Sequence, residues 1–419
     1  VTQRKARILF LHVNFPGQFR HLAPALHRAG HDVRAVTLNS PPQAPFPVTR
    51  APLPRGNAQG IDPLLRQLDS KIVRGRAAQR VLTAWRDAGW RPDLVVGHAG
   101  WGDMMAVREL FPQCRCLGWF EFFYHVTGYD AGFDAEFPAG EEQRLRTRLN
   151  NLWPLWMLEQ VDLGVCATRF QKTTHPAAYH DKLRVVHEGI DTQHFVPDAT
   201  VRVKVGKHLT LDRGTPVVTF VNRDLEPYRG YHVFMRALPD ILARNPEAHV
   251  LIVGGDGVSY GAAPPEGRSW KSIFLEEVAP RIDSRRVHFL GRVPHATLRA
   301  LMQLSRAHVY LTYPFVLSWS LLEAMSCAAP IVASDTAPVR EVITPDENGH
   351  LVDFFDREAL VEAVGEALSQ PAERMTPWRA NARRTIVDGY DLHGRCLPAQ
   401  IALVDELLRS GLSCGVSTS

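Results

Sequence analysis

The sequence predicts an α/β chain built from two doubly wound, parallel-sheet domains in tandem. Apolar runs of strand length alternate with stretches of helical periodicity, the links between them are short, and the pattern runs through twice with a break at Val196-Pro197-Asp198. A chain of 419 residues has room for two or three domains. Hydrophobic residues at 45% and charged residues at 22% are globular proportions, which excludes global disorder.

The first series opens with the apolar run Ile8–Val13, read as a strand. The turn Asn14-Phe15-Pro16-Gly17-Gln18 follows, then a helix in which Leu22, Ala25, Leu26 and Ala29 recur at helical spacing. Gly30 closes that helix as a C′ glycine, and Val33–Leu38 is the next strand. Residues 41–63, rich in Pro and Gly, read as a long loop. Leu64–Trp85 returns to helix, with Leu65, Leu68, Ile72, Val81 and Trp85 expected on one apolar face. Arg66, Lys71, Arg74, Arg76 and Arg80 decorate the rest, either a basic face for a membrane or anionic acceptor or simply a solvated face. Leu94–Val96, Arg115–Trp119, Leu163–Thr168 and Leu183–His187 complete the strands of this half.

The second series has strands at Val217–Val221, Val250–Val253, Val287–Leu290, Val309–Thr312 and Ile331–Ala333. Helices are expected at Tyr231–Arg244, His295–Ser305, Leu321–Cys327, Arg357–Leu368 and, last, Leu397–Leu408. The expected division is residues 1–195, residues 196–388, and a C-terminal segment 389–419 that holds the last helix and a tail, from Ser410, that frays.

Lys plus Arg exceed Asp plus Glu by only 4, which permits an anionic small ligand and does not call for nucleic acid. No run approaches the ~20 apolar residues of a membrane span. The opening VTQRKARILFLHVNF reads as a strand rather than a signal peptide. Cysteines 114, 116, 166, 327, 396 and 414 include no CxxC, so buried reduced thiols in a cytosolic protein are expected.

In open parallel sheets, ligands sit beyond the carboxyl ends of strands, beside helix N-termini. The first such turn holds one glycine, Gly17, and not the GxGxxG of a dinucleotide cradle. After Val217–Val221 the chain reads VNRDLEPYRGYHVF, with Arg223 and Arg229 placed for a diphosphate that guanidinium forks suit. In YPFVLSWSLLEAMS, Ser318 and Ser320 precede a helix carrying Glu323, a candidate for a ribose diol. No HExxH, GxSxG or GxxxxGK[ST] occurs.

Five ordered segments, LRVVHEGIDTQHFVP, VNRDLEPYRGYHVFMRALP, VLIVGGDG, VHFLGRVPHATL and SLLEAMSCAAPIVASDTAPVREVI, resemble the GT-B retaining glycosyltransferases of family 4 (glycosyl transferases group 1). The resemblance is strongest over 183–353. It implies two Rossmann-like domains facing a central cleft, a C-terminal helix in 389–419 that packs back on the first domain, and transfer of a hexosyl group from a nucleoside-diphosphate sugar to an acceptor hydroxyl with retention. Arg223 and Arg229 would clamp the diphosphate, Arg229 standing where lysine is usual and one residue further on. Glu323 would hold the ribose, Arg292, Val293 and Pro294 would lie against the base, and Ser318, Trp319 and Ser320 would face the phosphates. Gly255 ends the glycine-bearing strand on the donor side, and Gly17 would meet the pyrophosphate from the first domain.

Two departures stand out. Phe315 occupies the position of the family's first glutamate, which contacts the donor sugar. Glu121 occupies that of a family histidine; it is expected to touch sugar or acceptor together with His125. His98 and His125 also suit structural roles, and the acidic loop 128–142 reads as a surface loop or a polar acceptor site. Cofactors are expected to be none, without an obligate metal, since no Asp-x-Asp motif of the metal-using transferases is implied. The expected partners are a nucleotide-sugar donor and a small-molecule, glycan or lipid acceptor, with no nucleic acid. The expected localisation is cytoplasmic, with peripheral contact at the inner face of the membrane left open by the basic helix. The alternatives are a GT-B nucleotide-sugar epimerase and a non-catalytic nucleotide-sugar-binding protein.

Overall fold

The computed structural model describes residues 5–370 and 372–412. The expected frayed tail and Cys414 therefore fall largely outside the described residues. The chain divides into two units, residues 1–189 with 393–419, and residues 190–392. The sequence reading drew the boundary after Phe195; the structure draws it earlier because Ile190 and Phe195 pack in the core of the second unit.

The first unit is a seven-stranded parallel sheet. Its strands are β1 (Arg7–Leu11), β2 (Asp32–Thr37), β3 (Val48–Arg50), β4 (Leu94–His98), β5 (Arg115–Trp119), β6 (Leu163–Cys166) and β7 (Leu183–Val185), in the order β3-β2-β1-β4-β5-β6-β7. Its helices are α1 (Leu22–Arg28), α2 (Arg66–Asp87), α3 (Val107–Leu110), α4 (Glu141–Asn150), α5 (Leu152–Gln160) and α6 (Arg169–Thr174). Strand β1 forms because Ile8–Leu11 is apolar on both faces and helices cover both, the signature of a buried parallel strand. Strand β3 corrects the long loop read over 41–63: three residues at a sheet edge are too short to show a period, and their pairing with β2 defines them.

The second unit opens with a hairpin, β8 (Arg202–Val205) and β9 (Leu209–Asp212), which the sequence reading passed over. Its alternation is plain in hindsight, with Val203, Val205 and Leu211 buried. Six parallel strands follow: β10 (Val217–Asp224), β11 (His249–Gly255), β12 (Val287–Gly291), β13 (Ala307–Tyr310), β14 (Ile331–Ser334) and β15 (His350–Val352), in the order β12-β11-β10-β13-β14-β15. Helices α7 (Tyr231–Arg244), α8 (Trp270–Val278), α9 (His295–Leu304), α10 (Trp319–Ser326), α11 (Arg357–Ser369) and α12 (Ala372–Tyr390) belong to this unit. The final helix, α13 (Leu397–Leu412), returns to the first unit, where Leu403, Val404 and Leu407 enter a core shared with Ile8, Phe10 and Leu94.

Helix α2 also differs from expectation. Its buried stripe is Val73, Ala77, Ala78 and Leu82, whereas Leu65 and Ile72 are exposed. The helix approaches the 102–105 turn so closely that only small residues fit: a Cβ on Gly75 would lie 2.7 Å from the Gly102 carbonyl oxygen. Cys114, Cys116, Cys166, Cys327 and Cys396 are buried free thiols.

Candidate functional site

Each sheet reverses its strand order once, between β1 and β4 and between β10 and β13. Such switch points open crevices at the carboxyl ends of the strands. The chemistry-bearing side chains of each unit gather there.

In the second unit, β10 ends in Arg223 and Asp224. Arg223 is exposed and has no ion-pair partner among the described residues. Asp224 is buried and accepts from Ser259 Oγ at 2.6 Å and from Arg292 Nη2 at 2.7 Å. These bonds hold its carboxyl below the usual range despite burial. Gly255 faces this pair, and a Cβ there would lie 2.5 Å from Asp224 Oδ1 and 2.7 Å from Arg292 Nε. Glycine is thus required at 255 by space, and the ion pair ties two predicted donor residues to the end of β10. Arg292 itself is largely exposed, while Val293 packs partly into the core.

Arg229 is buried in the β10–α7 turn. One terminal nitrogen donates to Thr312 Oγ1 at 2.8 Å, to the Val316 carbonyl at 2.9 Å and to the Tyr310 hydroxyl at 3.3 Å. Its guanidinium carbon also lies 5.1 Å from the Tyr260 ring centre and 5.7 Å from that of Phe315. All these partners are neutral. The Tyr310 hydroxyl accepts from the Ser318 N–H at 2.9 Å, so one phenol joins Arg229 to the start of α10. There Ser318 Oγ caps the helix, accepting from the Ser320 N–H at 3.3 Å and lying 2.8 Å from Ser320 Oγ. Trp319 begins the helix and packs partly against the core. Glu323, one turn on, is buried, with His295 Nε2 3.6 Å from its carboxylate. Arg229, Ser318 and Ser320 thus meet in one bonded cluster.

Phe315 is buried, edge-on to Tyr228 (5.3 Å) and Tyr260 (4.8 Å). At the position of the glutamate expected from the resemblance, the chain has an aromatic wall. Sequence reasoning missed Glu226, which is buried and accepts the N–H groups of Ser259 and Tyr260 at 3.1–3.3 Å. Burial pushes its carboxyl up to about 7. Its signal lay in the acidic pair of RDLEPYRG, read only for its arginines.

In the first unit, the carboxyl ends of β1, β4 and β5 deliver His12, His98 and Glu121. His12 and His98 are buried, with rings 6.0 Å apart and both against Trp101 (4.9 and 4.7 Å). The Asn14 N–H donates to His12 Nδ1 and the Gly100 N–H to His98 Nδ1, each at 3.1 Å. A ring nitrogen that accepts carries no proton, so both neutral imidazoles are fixed as Nε2–H tautomers. Burial and the neighbouring His98 lower His12 to about 4, which keeps it neutral. Neither Nε2 has a hydrogen-bond partner, though His98 Nε2 lies 3.4 Å from Glu121 Oε1. Gln18 donates to the same carboxylate at 3.2 Å. Gly17 has φ +46°, and a Cβ there would lie 2.3 Å from the His12 ring.

His125 does not join this group. Its Nε2 meets the Thr174 carbonyl at 2.8 Å and its ring stacks on Tyr129 at 4.2 Å, a structural engagement. The residues placed beside Glu121 are His98 and Gln18. His12 was read only as part of a strand; its signal was a polar residue ending an apolar run next to the turn glycine. In the loop 128–142, Asp134 accepts the Glu136 N–H at 2.9 Å and so organises its own turn.

Comparison with known proteins agrees with this layout. The profile of the Glycosyl transferase family 4 group matches residues 29–195, and that of Glycosyl transferases group 1 matches residues 205–385. The chain is 32% identical over 222 residues to a D-inositol 3-phosphate glycosyltransferase of Rhodococcus jostii, covering 51% of this chain and 45% of that one. It is 26% identical over 219 residues to a GDP-mannose-dependent alpha-(1-6)-phosphatidylinositol monomannoside mannosyltransferase of Mycolicibacterium smegmatis, covering 50% and 54%. The matches span about half the length of these curated relatives. Among solved structures, a sucrose-phosphate synthase of Thermosynechococcus elongatus aligns with TM-score 0.73 at 19% identity, over 97% of this chain and 100% of that one. HepE of Anabaena in complex with UDP-glucose aligns with TM-score 0.63 at 15% identity, over 98% and 100%. At these identities the structural likeness establishes the fold: two Rossmann-like parallel-sheet domains of GT-B type.

Proposed function

Because the chain belongs to the family 4, group 1 glycosyl transferases of GT-B fold, we propose that it moves a sugar from a nucleoside-diphosphate sugar to an acceptor hydroxyl, with retention at the anomeric carbon. The observation that supports this most is Arg229. A buried guanidinium bonded only to neutral oxygens is costly in isolation and favourable once an anion arrives. Exposed Arg223 and the start of α10 add a second cation and the positive end of a helix dipole to the same anion.

In this reading the diphosphate lies on Arg223, Arg229 and the 318–320 turn, with Glu323 on the ribose and the 292–294 segment along the base. The bond from the anomeric carbon to the phosphate oxygen breaks as the acceptor oxygen bonds to that carbon from the same face. The acceptor proton passes to the departing phosphate oxygen, so no strong protein base is needed. Preorganised cations stabilise the leaving charge most in the transition state and take the electrostatic part a metal plays elsewhere. Chelation with EDTA is accordingly expected to leave turnover unchanged.

In the first unit, two Nε2–H donors and the Glu121 carboxylate offer hydrogen bonds in both senses to a polyhydroxylated substrate. His125, engaged by the Thr174 carbonyl and the Tyr129 ring, is left out of this set. The names of the relatives suggest an inositol-like or sugar-bearing acceptor and a GDP- or UDP-linked donor.

The decisive experiment is thermal scanning of the protein with UDP-, GDP-, ADP- and TDP-sugars, followed by turnover of Arg223→Ala with the donor so found. Loss of one phosphate-stabilising group should cost roughly 10²-fold in kcat. A variant within about twofold of the parent, on that same scale, would remove Arg223 from the mechanism. Stabilisation by none of the nucleotides would sink the donor reading itself.

A further inference from the structure

The first unit carries a surface that the proposed chemistry leaves unused. Helices α2 and α5 and the turn at Met105 surround an open groove of about 350 Å³, lined by Leu68, Ile72, Arg76, Met105, Leu152 and Trp156, with Trp153 at its base. Its walls are apolar, and its single charged lining group is a cation. Leu152 is 51% exposed, Ile72 37% and Trp156 36%, all far beyond what a helix facing its own core would show. Leu65 and Leu145 are exposed on the same packed elements, since α4 lies against the turn 63–65 and against α2.

The unpaired charges around these residues are mostly positive. Arg66, Arg76, Arg144 and Arg148 have no carboxylate partner among the described residues. Of the acidic groups on these elements, Asp69 pairs with Arg55 and Glu142 with Arg146, while Glu141, in the first turn of α4, is an exposed carboxylate outnumbered by the arginines. Lys71 lies 5.9 Å over the Trp153 ring, beneath the groove.

We propose that this face docks on an anionic lipid bilayer, with Leu152, Ile72 and Trp156 entering the acyl region and the arginines meeting lipid phosphates. A protein partner would be expected to require several polar groups inside the groove to fix its orientation, and among the lining residues Arg76 alone carries a charge. A bilayer requires only apolar side chains at its boundary, amphipathic tryptophan and surrounding cations, and all three are present. Among the described residues no helix is long and apolar enough to cross a membrane, so the contact lies along the surface. The proposal is independent of the transferase reading, and its test uses no substrate.

The test is co-flotation of the full chain with vesicles of phosphatidylcholine alone and of phosphatidylcholine mixed with phosphatidylglycerol. Binding to the mixed vesicles alone is expected, weakening as salt is raised. Leu152→Asp and the double variant Arg66→Glu/Arg76→Glu should each reduce it by about tenfold or more. These positions are exposed, and unchanged circular dichroism and thermal midpoint would certify the fold. With brominated acyl chains the bound protein's fluorescence should be quenched, and Trp156→Phe should lose part of that quenching. The proposal is overturned by equal binding to both vesicles, by binding to neither, by variants that bind like the parent, or by a solution dimer that Leu152→Asp dissociates.

Discussion

At the scale of residues, the site depends on glycines and on titration states. Gly17 combines a left-handed φ with a Cβ position inside the His12 ring, so Gly17→Ala must shift one or the other. We expect a loss of about 1–3 kcal/mol in urea unfolding, with a fall in turnover larger than for a neighbouring alanine control. Glu226 makes a pH prediction. Its folded carboxyl sits near 7 against 4.5 when unfolded. Between those values the folded state holds a proton the unfolded state has released, so stability falls as pH rises through the window. Glu226→Gln cannot ionise, so its stability relative to the parent should improve from pH 5 to pH 8 by on the order of 2–3 kcal/mol. A constant difference across that range would show the carboxyl to be unperturbed. Arg223, Arg229 and Glu323 could be singled out as candidates because they are charged residues beside strand ends or at a helix start, and the resemblance supplied the roles proposed for them. His12 and Glu226 were not singled out, and His98 was noted without its partners. Their chemistry arises from burial, and their partners lie on strands or loops far off in sequence, as with His98 and Glu121.

At the scale of elements, what was legible was periodicity, and what was not was the reach of backbone packing. The apolar face expected on α2 used its largest residues; Leu68, Val81 and Trp85 do pack partly against the core, while Leu68 and Ile72 line the open groove. The core-facing stripe is small because Gly75 meets the Gly102 carbonyl, and a Cβ on Gly102 would lie 2.2 Å from the Lys71 carbonyl oxygen. Gly75→Val should therefore cost about 1–3 kcal/mol by overpacking, although valine would raise the apolar content of the helix. A gain in thermal midpoint would refute the close approach. Edge strand β3 and hairpin β8–β9 escaped for another reason: β3 is three residues without a period, and the short alternation in β8 and β9 gains meaning only from their pairing. At α10, Ser318→Ala removes the cap on the Ser320 N–H and should cost about 1 kcal/mol. If the 318–320 turn holds phosphate, the same variant should also weaken nucleotide-sugar affinity, readable by calorimetry apart from stability.

At the scale of the whole molecule, the alternation of strand and helix made two parallel-sheet units legible, while the route of the last helix rested on resemblance alone. The structure gives that route a physical basis. Helix α13 places Leu403, Val404 and Leu407 in the first unit's core, and Gln400 donates to the His187 carbonyl at 3.0 Å. Three aliphatic side chains buried at ~1.5–3 kcal/mol each contribute roughly 5–9 kcal/mol. A domain of this size has only about 5–15 kcal/mol of net stability. A chain ending at Leu392 keeps every strand of both sheets yet loses a contribution comparable to the whole stability of the first unit. The second unit, residues 190–392, keeps its own core from Ile190 to Ile386. Hydrogen exchange on the truncated chain should therefore show β1, β4 and β5 exchanging rapidly while β10, β11 and β13 remain protected. Equal protection in both units would mean that α13 only covers a core already stable without it. Equal loss in both would mean that the two units do not fold as separate cooperative bodies, despite the separate cores that the sequence lays down on either side of Ile190.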